Sequence, residues 1–202
     1  MSFDRTAPRL PREARRAQLI DAARYVFVHQ GYHAAAMDDI ADRAGVSKPV
    51  LYQHFPGKLD LYLALLELSG QQLVAAVQAA LASTSDNHDR VEATVGAYFQ
   101  FVNDADGAYR LVFESDLTNE PSVRDRVEAI EDECAVAIAK VIASDTGLGD
   151  DEATLLAIGI IGNAQTAARR WLREGKVIPI DHAVALMNRL VWRGISGVPR
   201  TR

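Results

Sequence analysis

The chain has 202 residues, 49% apolar and 24% charged, with a net charge of −5, which suits one large domain or a small domain joined to a larger one. No apolar run approaches the about 18 residues of a membrane helix, the longest being Leu155 to Gly162, and Met1 to Arg16 has basic residues without the apolar centre of a secretory signal. Cys134 is the single cysteine; disulfide scaffolds, zinc fingers and CxxC redox folds are therefore excluded, no membrane partner is expected, and the expected compartment is the reducing cytoplasm.

The negative total hides an uneven distribution. Residues 1–60 carry nine Lys/Arg against seven Asp/Glu, and residues 61–202 carry thirteen against twenty. Arg5, Arg9, Arg12, Arg15 and Arg16 crowd the N-terminus, where a flexible basic arm over residues 1–11 can follow a phosphate backbone. A solvated tail accounts for the same charges.

Apolar residues recur at three- and four-residue spacing almost throughout, and alternating strand patterns are missing, so the fold is all-α with about nine helices. The first spans Arg12 to Gln30, burying Leu19, Ala22, Ala23, Val26 and Phe27, with Gly31 as a left-handed C-cap. Two short helices follow. A long helix from Lys58 to Leu81, led by Asp60, carries Leu61, Leu65, Leu68, Leu73, Val77 and Leu81 and can link two subdomains as a rod. Helices over about Asp89–Asn103, Tyr109–Phe113, Ser122–Ala143, Asp151–Glu174 and Asp181–Ser196 complete the chain, separated by Gly, Pro and Ser/Asn clusters.

Met37 to Phe55 carries the most specific pattern: two helices of barely two turns joined by a tight turn, a helix-turn-helix. Ile40 points inward, Ala41 leaves room for the crossing helix, Gly45 permits a positive φ, Val46 fills the gap, and Ser47 caps the second helix. Pro49 falls in the first turn, where no intrahelical N–H is needed. Leu51 and Phe55 anchor the helix from beneath. The outward set is Ser47, Lys48, Pro49, Val50, Tyr52, Gln53 and His54, a mixture of donors for phosphate, groups for base edges and apolar contact for a thymine methyl. This assigns residues 12–57 to a DNA-binding domain and leaves residues 58–202 as a second, larger domain, for which ligand binding and dimerisation are the expected roles.

Gly31-Tyr32, Met37-Asp38-Asp39-Ile40-Ala41, Ala44-Gly45-Val46-Ser47, Leu51-Tyr52, His54-Phe55 and Gly57-Lys58 resemble the TetR family of bacterial transcription regulators in order and spacing, over residues 12 to about 65. The resemblance implies a two-fold dimer on operator DNA, with Tyr52 and Lys58 holding phosphates and Lys48, Val50, Gln53 and His54 facing the major groove. One departure is Ala35-Ala36, where many relatives place two threonines; a hydroxyl cap is lost there. Gly31 to Ala35, Ser47 to Pro56, Tyr109 to Glu114 and Val198-Pro199 further resemble an actinobacterial subgroup that regulates fatty-acid synthase and senses long-chain acyl-CoA. That resemblance implies no cofactor, and a long-chain acyl-CoA or fatty acid as effector.

The larger half holds more big apolar side chains than a plain bundle needs. Tyr98, Phe99, Val102, Leu111, Phe113, Leu117 and Trp171 are the expected lining of a tunnel for a hydrophobic effector, although helix periodicity alone selects core residues too. Arg110, Arg169, Arg170 and Arg173 are available for effector phosphates or for surface ion pairs. Dimerisation is expected through the last two helices, where Ala157, Gly159 and Gly162 permit close approach and Leu186 and Leu190 add apolar contact.

An enzyme is disfavoured: GxSxG, HExxH and phosphate-cradling glycine loops are absent from the sequence. His29 and His33 have the spacing of a helical metal pair, but Gly31 lies between them, so no metal site is expected. Two rivals stay open, a regulator of another hydrophobic effector such as a drug and a DNA-bound factor without ligand. For the leading reading, effector binding shifts the long helix, changes the separation of the recognition helices and lowers DNA affinity.

Overall fold

A computed structural model of the chain describes residues 10–104, 107–114, 117 and 119–194. Among the described residues all regular structure is helical: α1 (Arg12–Ala34), α2 (Met37–Arg43), α3 (Lys48–His54), α4 (Lys58–Ala82), α5 (Asn87–Asn103), α6 (Ala108–Phe113), α7 (Pro121–Thr146), α8 (Asp150–Arg173) and α9 (Ile180–Arg193). None is long and apolar enough to cross a membrane. Arg5 and Arg9 of the expected arm, Ser196, and Val198-Pro199 lie outside the described residues, whereas Arg12, Arg15 and Arg16 belong to α1.

The chain divides into two compact units, parting between Leu66 and Glu67 inside α4. The break falls beyond residue 57 because the first turns of α4 are buried with the N-terminal helices. Leu61, Tyr62, Leu65 and Leu66 are nearly inaccessible, and the Tyr62 ring meets Phe27 and Tyr32 edge-on, each at 5.3 Å. In this first unit α1 packs on α2, and α2 on α3.

Gly31 interrupts α1 instead of ending it. Its φ of 76° and ψ of 165° are non-helical, yet the chain resumes a turn to Ala34, closed by the Ala35 N–H on the Gly31 carbonyl at 3.2 Å. The expected left-handed cap thus becomes a kink, and glycine is needed there for the positive φ.

In the second unit α7 packs along α8, and α5 lies against α8 and α9. The helix ends follow local chemistry. Helix α5 starts earlier than the periodicity suggests because Asp86 Oδ1 accepts the N–H groups of His88 and Asp89, at 2.8 and 3.1 Å, as an N-cap. Pro121 opens α7, and Gly147 closes it with a φ of 76°. Glu152 Oε2 accepts the Gly149 N–H at 3.1 Å to start α8.

Cys134 and Tyr98 meet inside this unit, at 0% and 1% exposure. Burial pushes the Cys134 thiol up to about 11, against a lowering hydrogen bond from Tyr98. Burial foremost, then Cys134, raises the Tyr98 phenol well above its ordinary range. Both stay protonated at neutral pH, so Cys134 is a core residue and not a thiolate nucleophile.

Candidate nucleic-acid interface and effector cavities

The helix-turn-helix is held from behind by a buried apolar core. Ile40, Ala41, Leu51 and Phe55 are at most 2% exposed, as is Leu19 of α1. The Gly45 N–H donates to the Asp42 carbonyl and the Val46 N–H to the Ala41 carbonyl, both at 3.0 Å. Gly45 has a φ of +64°, and an added Cβ would meet nothing; backbone conformation, not space, requires glycine here. Gln18 of α1 adds a clamp unforeseen from sequence, its Nε2 donating to the Ala44 carbonyl at 2.8 Å.

On the outer side Ser47, Lys48, Pro49, Tyr52 and Gln53 are exposed, while Val50 and His54 are half-buried. All seven residues come from the cap and two turns of α3, the arrangement expected of a recognition helix. Three details differ from expectation.

Ser47 occupies the N-cap position, but its side chain makes no cap hydrogen bond. Pro49, at the second helical position, has no N–H to offer, and the Val50 N–H already donates to the Ser47 carbonyl at 3.0 Å. The hydroxyl is therefore uncommitted to the cap and faces outward.

Lys48 is paired with Asp38 of α2, which raises its pKa mainly through that hydrogen bond and the charge beside it. Any phosphate that Lys48 met would have to displace Asp38. Asp38→Asn is expected to tighten binding to duplex DNA a few-fold at low salt, read by fluorescence anisotropy; unchanged or weaker binding would remove Asp38 as a competitor.

Lys58 does not stand free for a phosphate. Its Nζ donates to the carbonyls of Tyr32 (2.8 Å), Ala35 (2.9 Å) and His33 (3.4 Å) and lies 4.5 Å from the Tyr32 ring centre. An ammonium has three donors, and all are used to cap the carbonyl end of α1. In this arrangement Lys58 ties the start of α4 to the end of α1. A lysine that neutralises a phosphate lowers the salt dependence of DNA binding by about one unit of slope when removed. Lys58→Met is expected to leave that slope unchanged while lowering the melting temperature, whereas Lys48→Met should reduce it; a lower slope for Lys58→Met would restore the phosphate contact.

Ala35 is buried, and Ala36 caps α2 without a side-chain bond, so no hydroxyl replaces the missing threonines there.

All seven expected effector-lining residues are buried, but they separate into two groups. Tyr98 and Phe113 stack at 6.4 Å, and Phe113 meets Phe101 at 5.7 Å; Val102, Leu111 and Leu117 are buried as they are. Phe99 and Trp171, rings 5.6 Å apart, line a cavity of about 420 Å³ together with Ile178, Ala183, Leu186 and Met187. Trp171 is oriented by its Nε1–H, which donates to the Ile178 carbonyl at 2.6 Å. Arg170 and Glu174 also line this cavity, paired at 2.7 Å, and Arg169 is paired with Glu114 at 3.7 Å. A second cavity, of about 340 Å³, is walled by Leu81, Val91, Ile138, Ile160, Val191 and Trp192 among others; none of these was singled out for ligand contact from sequence.

Helix α8 has two apolar faces. Ala157, Ala164 and Ala168 are fully buried in their own subunit, with Ile161, which corrects the assignment of Ala157 to the dimer contact. Their spacing of three and four residues puts them on the inner stripe. Leu155 and Ile158, 72% and 53% exposed, lie near Gly159 and Gly162, whose Cβ positions are open. Leu186 and Leu190 on α9 are half-buried.

Comparisons with known proteins fit this architecture. Residues 19–65 match the bacterial regulatory proteins of the tetR family, and residues 87–194 match a tetracyclin repressor-like C-terminal domain. The HTH-type transcriptional activator FasR of Mycolicibacterium smegmatis is 46% identical over 199 residues, covering 98% of this chain and 91% of that protein. A TetR-like regulator from Rhodococcus sp. RHA1 superposes with a TM-score of 0.74 at 28% identity, over 94% of this chain and all of the other. FadR from Bacillus subtilis, solved with stearoyl-CoA, has the same fold, with a TM-score of 0.75 at 19% identity over 89% of this chain and 98% of that one. With its helix-turn-helix, its C-terminal domain and a FasR-like relative spanning nearly its whole length, the chain belongs to the TetR family of transcriptional regulators and is not an enzyme.

Proposed function

We propose that the protein is a dimeric regulator of fatty-acid and lipid metabolism, in the cytoplasm, whose affinity for operator DNA falls when long-chain acyl-CoA binds its C-terminal domain. The observation that carries this reading is the 46% identity to FasR across 98% of the chain; the stearoyl-CoA held by FadR in the same fold supports the ligand class. Ser47, Lys48, Pro49, Val50, Tyr52, Gln53 and His54 would meet the major groove and adjacent phosphates. Phe99 and Trp171 supply aromatic lining for an acyl chain, and Arg170 beside them is a cation for the CoA phosphates once released from Glu174.

The outer face of α8, with Gly159, Gly162, Leu155 and Ile158, and Leu186 and Leu190 on α9 would form the dimer contact. Two glycines inside one helix cost about 1 kcal/mol each relative to alanine, and Gly159 and Gly162 are open to a partner. A two-fold dimer presents its recognition helices to successive major grooves. Effector binding then acts through α4, which begins in the DNA-binding unit and ends in the other, by favouring one dimer geometry.

The two tryptophans make ligand binding measurable. Trp171 lines the larger cavity and Trp192 the smaller, so Trp192→Phe leaves Trp171 as the sole tryptophan reporter. Saturable quenching of that variant by palmitoyl-CoA, but not by free CoA, is expected. Quenching absent at every chain length from palmitoyl to eicosanoyl would contradict the acyl-CoA assignment.

A further inference from the structure

We propose that the smaller cavity is a separate site for an uncharged amphiphile: an apolar body carrying one neutral hydrogen-bonding group, such as an alcohol, ester or lactone. It goes beyond the acyl-CoA reading, because it concerns a different cavity from the one lined by Phe99 and Trp171.

The walls come from the ends of α4, α5, α7, α8 and α9 and are mainly aliphatic, with Trp192 at the side. A volume of about 340 Å³ falls at the lower end of the usual range for small-molecule sites, roughly 300 to 1,000 Å³. Its polar residues determine the ligand class. Arg90 is the cation among the residues that line it, and it is already engaged: Nε donates to the Thr84 carbonyl at 2.8 Å, and one terminal nitrogen reaches Asn87 Oδ1 and Asp145 Oδ2, both at 2.9 Å. Arg90 and Asp145 together contribute no net charge. Thr146 Oγ1 donates to the Ile142 carbonyl at 2.7 Å and accepts the Leu148 N–H at 3.2 Å. A carboxylate or phosphate entering this cleft would lose its hydration without gaining a free cation.

Thr94 differs from these neighbours. It lines the same cavity and is 2% exposed, yet its Oγ1 has no hydrogen-bond partner. A threonine inside a helix ordinarily returns its hydroxyl to a carbonyl of the preceding turn, and a buried hydroxyl without a partner is costly. A ligand hydroxyl or carbonyl would satisfy it. An apolar wall, a neutralised cation and one unsatisfied uncharged hydroxyl select a neutral amphiphile over an acid.

The test uses the full-length protein carrying Trp171→Phe, which leaves Trp192 as reporter, titrated with 1-decanol and with sodium decanoate. A saturable change in Trp192 emission is expected with decanol, at a concentration at least about tenfold below that needed for decanoate. Adding Thr94→Val should weaken decanol about fivefold, the worth of one hydrogen bond, and Thr94→Ser should restore it. Equal affinity for alcohol and acid, no saturable signal, or a Thr94→Val variant that folds and binds decanol undiminished would each overturn the proposal. Palmitoyl-CoA quenching of Trp171 is read separately, so either site can fail without the other.

Discussion

Gly70→Val is expected to destabilise the protein by about 2 kcal/mol, lowering its melting temperature by roughly 4 to 8 °C in differential scanning calorimetry. Gly70 is buried on α4, and a Cβ added there would overlap Ile130 Cδ1 and Cγ1 of α7. Ile130 is itself 1% exposed, so its side chain has little room to retreat. The small gain in helix propensity over glycine only partly offsets the overlap. Glu67 and Arg126 pair one turn away, so α4 and α7 are held at two neighbouring points and cannot part locally without cost. Ile130→Ala opens a cavity on its own, yet the double variant Gly70→Val/Ile130→Ala should be less destabilised than the sum of the two single changes. Strict additivity would show that the close approach of α4 to α7 is not what demands glycine.

Leu51→Ala is expected to abolish DNA binding by loosening the recognition helix. Leu51 is 0% exposed and is the one buried residue within α3, and truncation of a buried leucine costs about 2 to 5 kcal/mol. A seven-residue helix has no independent stability in water, so its shape depends on this anchor. Gln53→Ala is the contrast. Gln53 is exposed, and loss of a base-reading side chain costs about 1 to 3 kcal/mol of operator affinity with the melting temperature unchanged. Anisotropy with operator DNA beside thermal unfolding separates the two. If Leu51→Ala bound DNA normally, the packing account of the recognition helix would be wrong; if Gln53→Ala bound normally, its role in reading would be.

What the sequence made legible was whatever is encoded locally or by helical period. Ile40, Gly45, Leu51 and Phe55 each sit where their spacing implies, because a short helix, a tight turn and another short helix leave few alternatives. The inner stripe of α8 is periodic as well, but periodicity cannot say whether a neighbour belongs to the same chain; Ala157 faces its own core for that reason. Contacts between distant positions left no such trace. Lys58 finds carbonyls more than twenty residues away, Gln18 reaches Ala44, and Asp38 captures Lys48 across the turn. Ser47 shows two local rules in conflict, since the proline that suits the first turn of α3 removes a donor its hydroxyl would cap. The cavities were hardest to foresee. Tyr98 and Phe99 are adjacent and equally buried, yet Phe99 lines the larger cavity while Tyr98 is tied to Cys134.

The central claim is that acyl-CoA chain length controls DNA binding. Labelled promoter DNA held by the purified dimer, titrated at fixed salt with palmitoyl- to eicosanoyl-CoA and in parallel with butyryl-CoA and free CoA, tests it most directly. Release of the DNA by the long acyl-CoA esters alone is the predicted result. DNA that stays bound at every chain length, or that is released equally by free CoA, would contradict it.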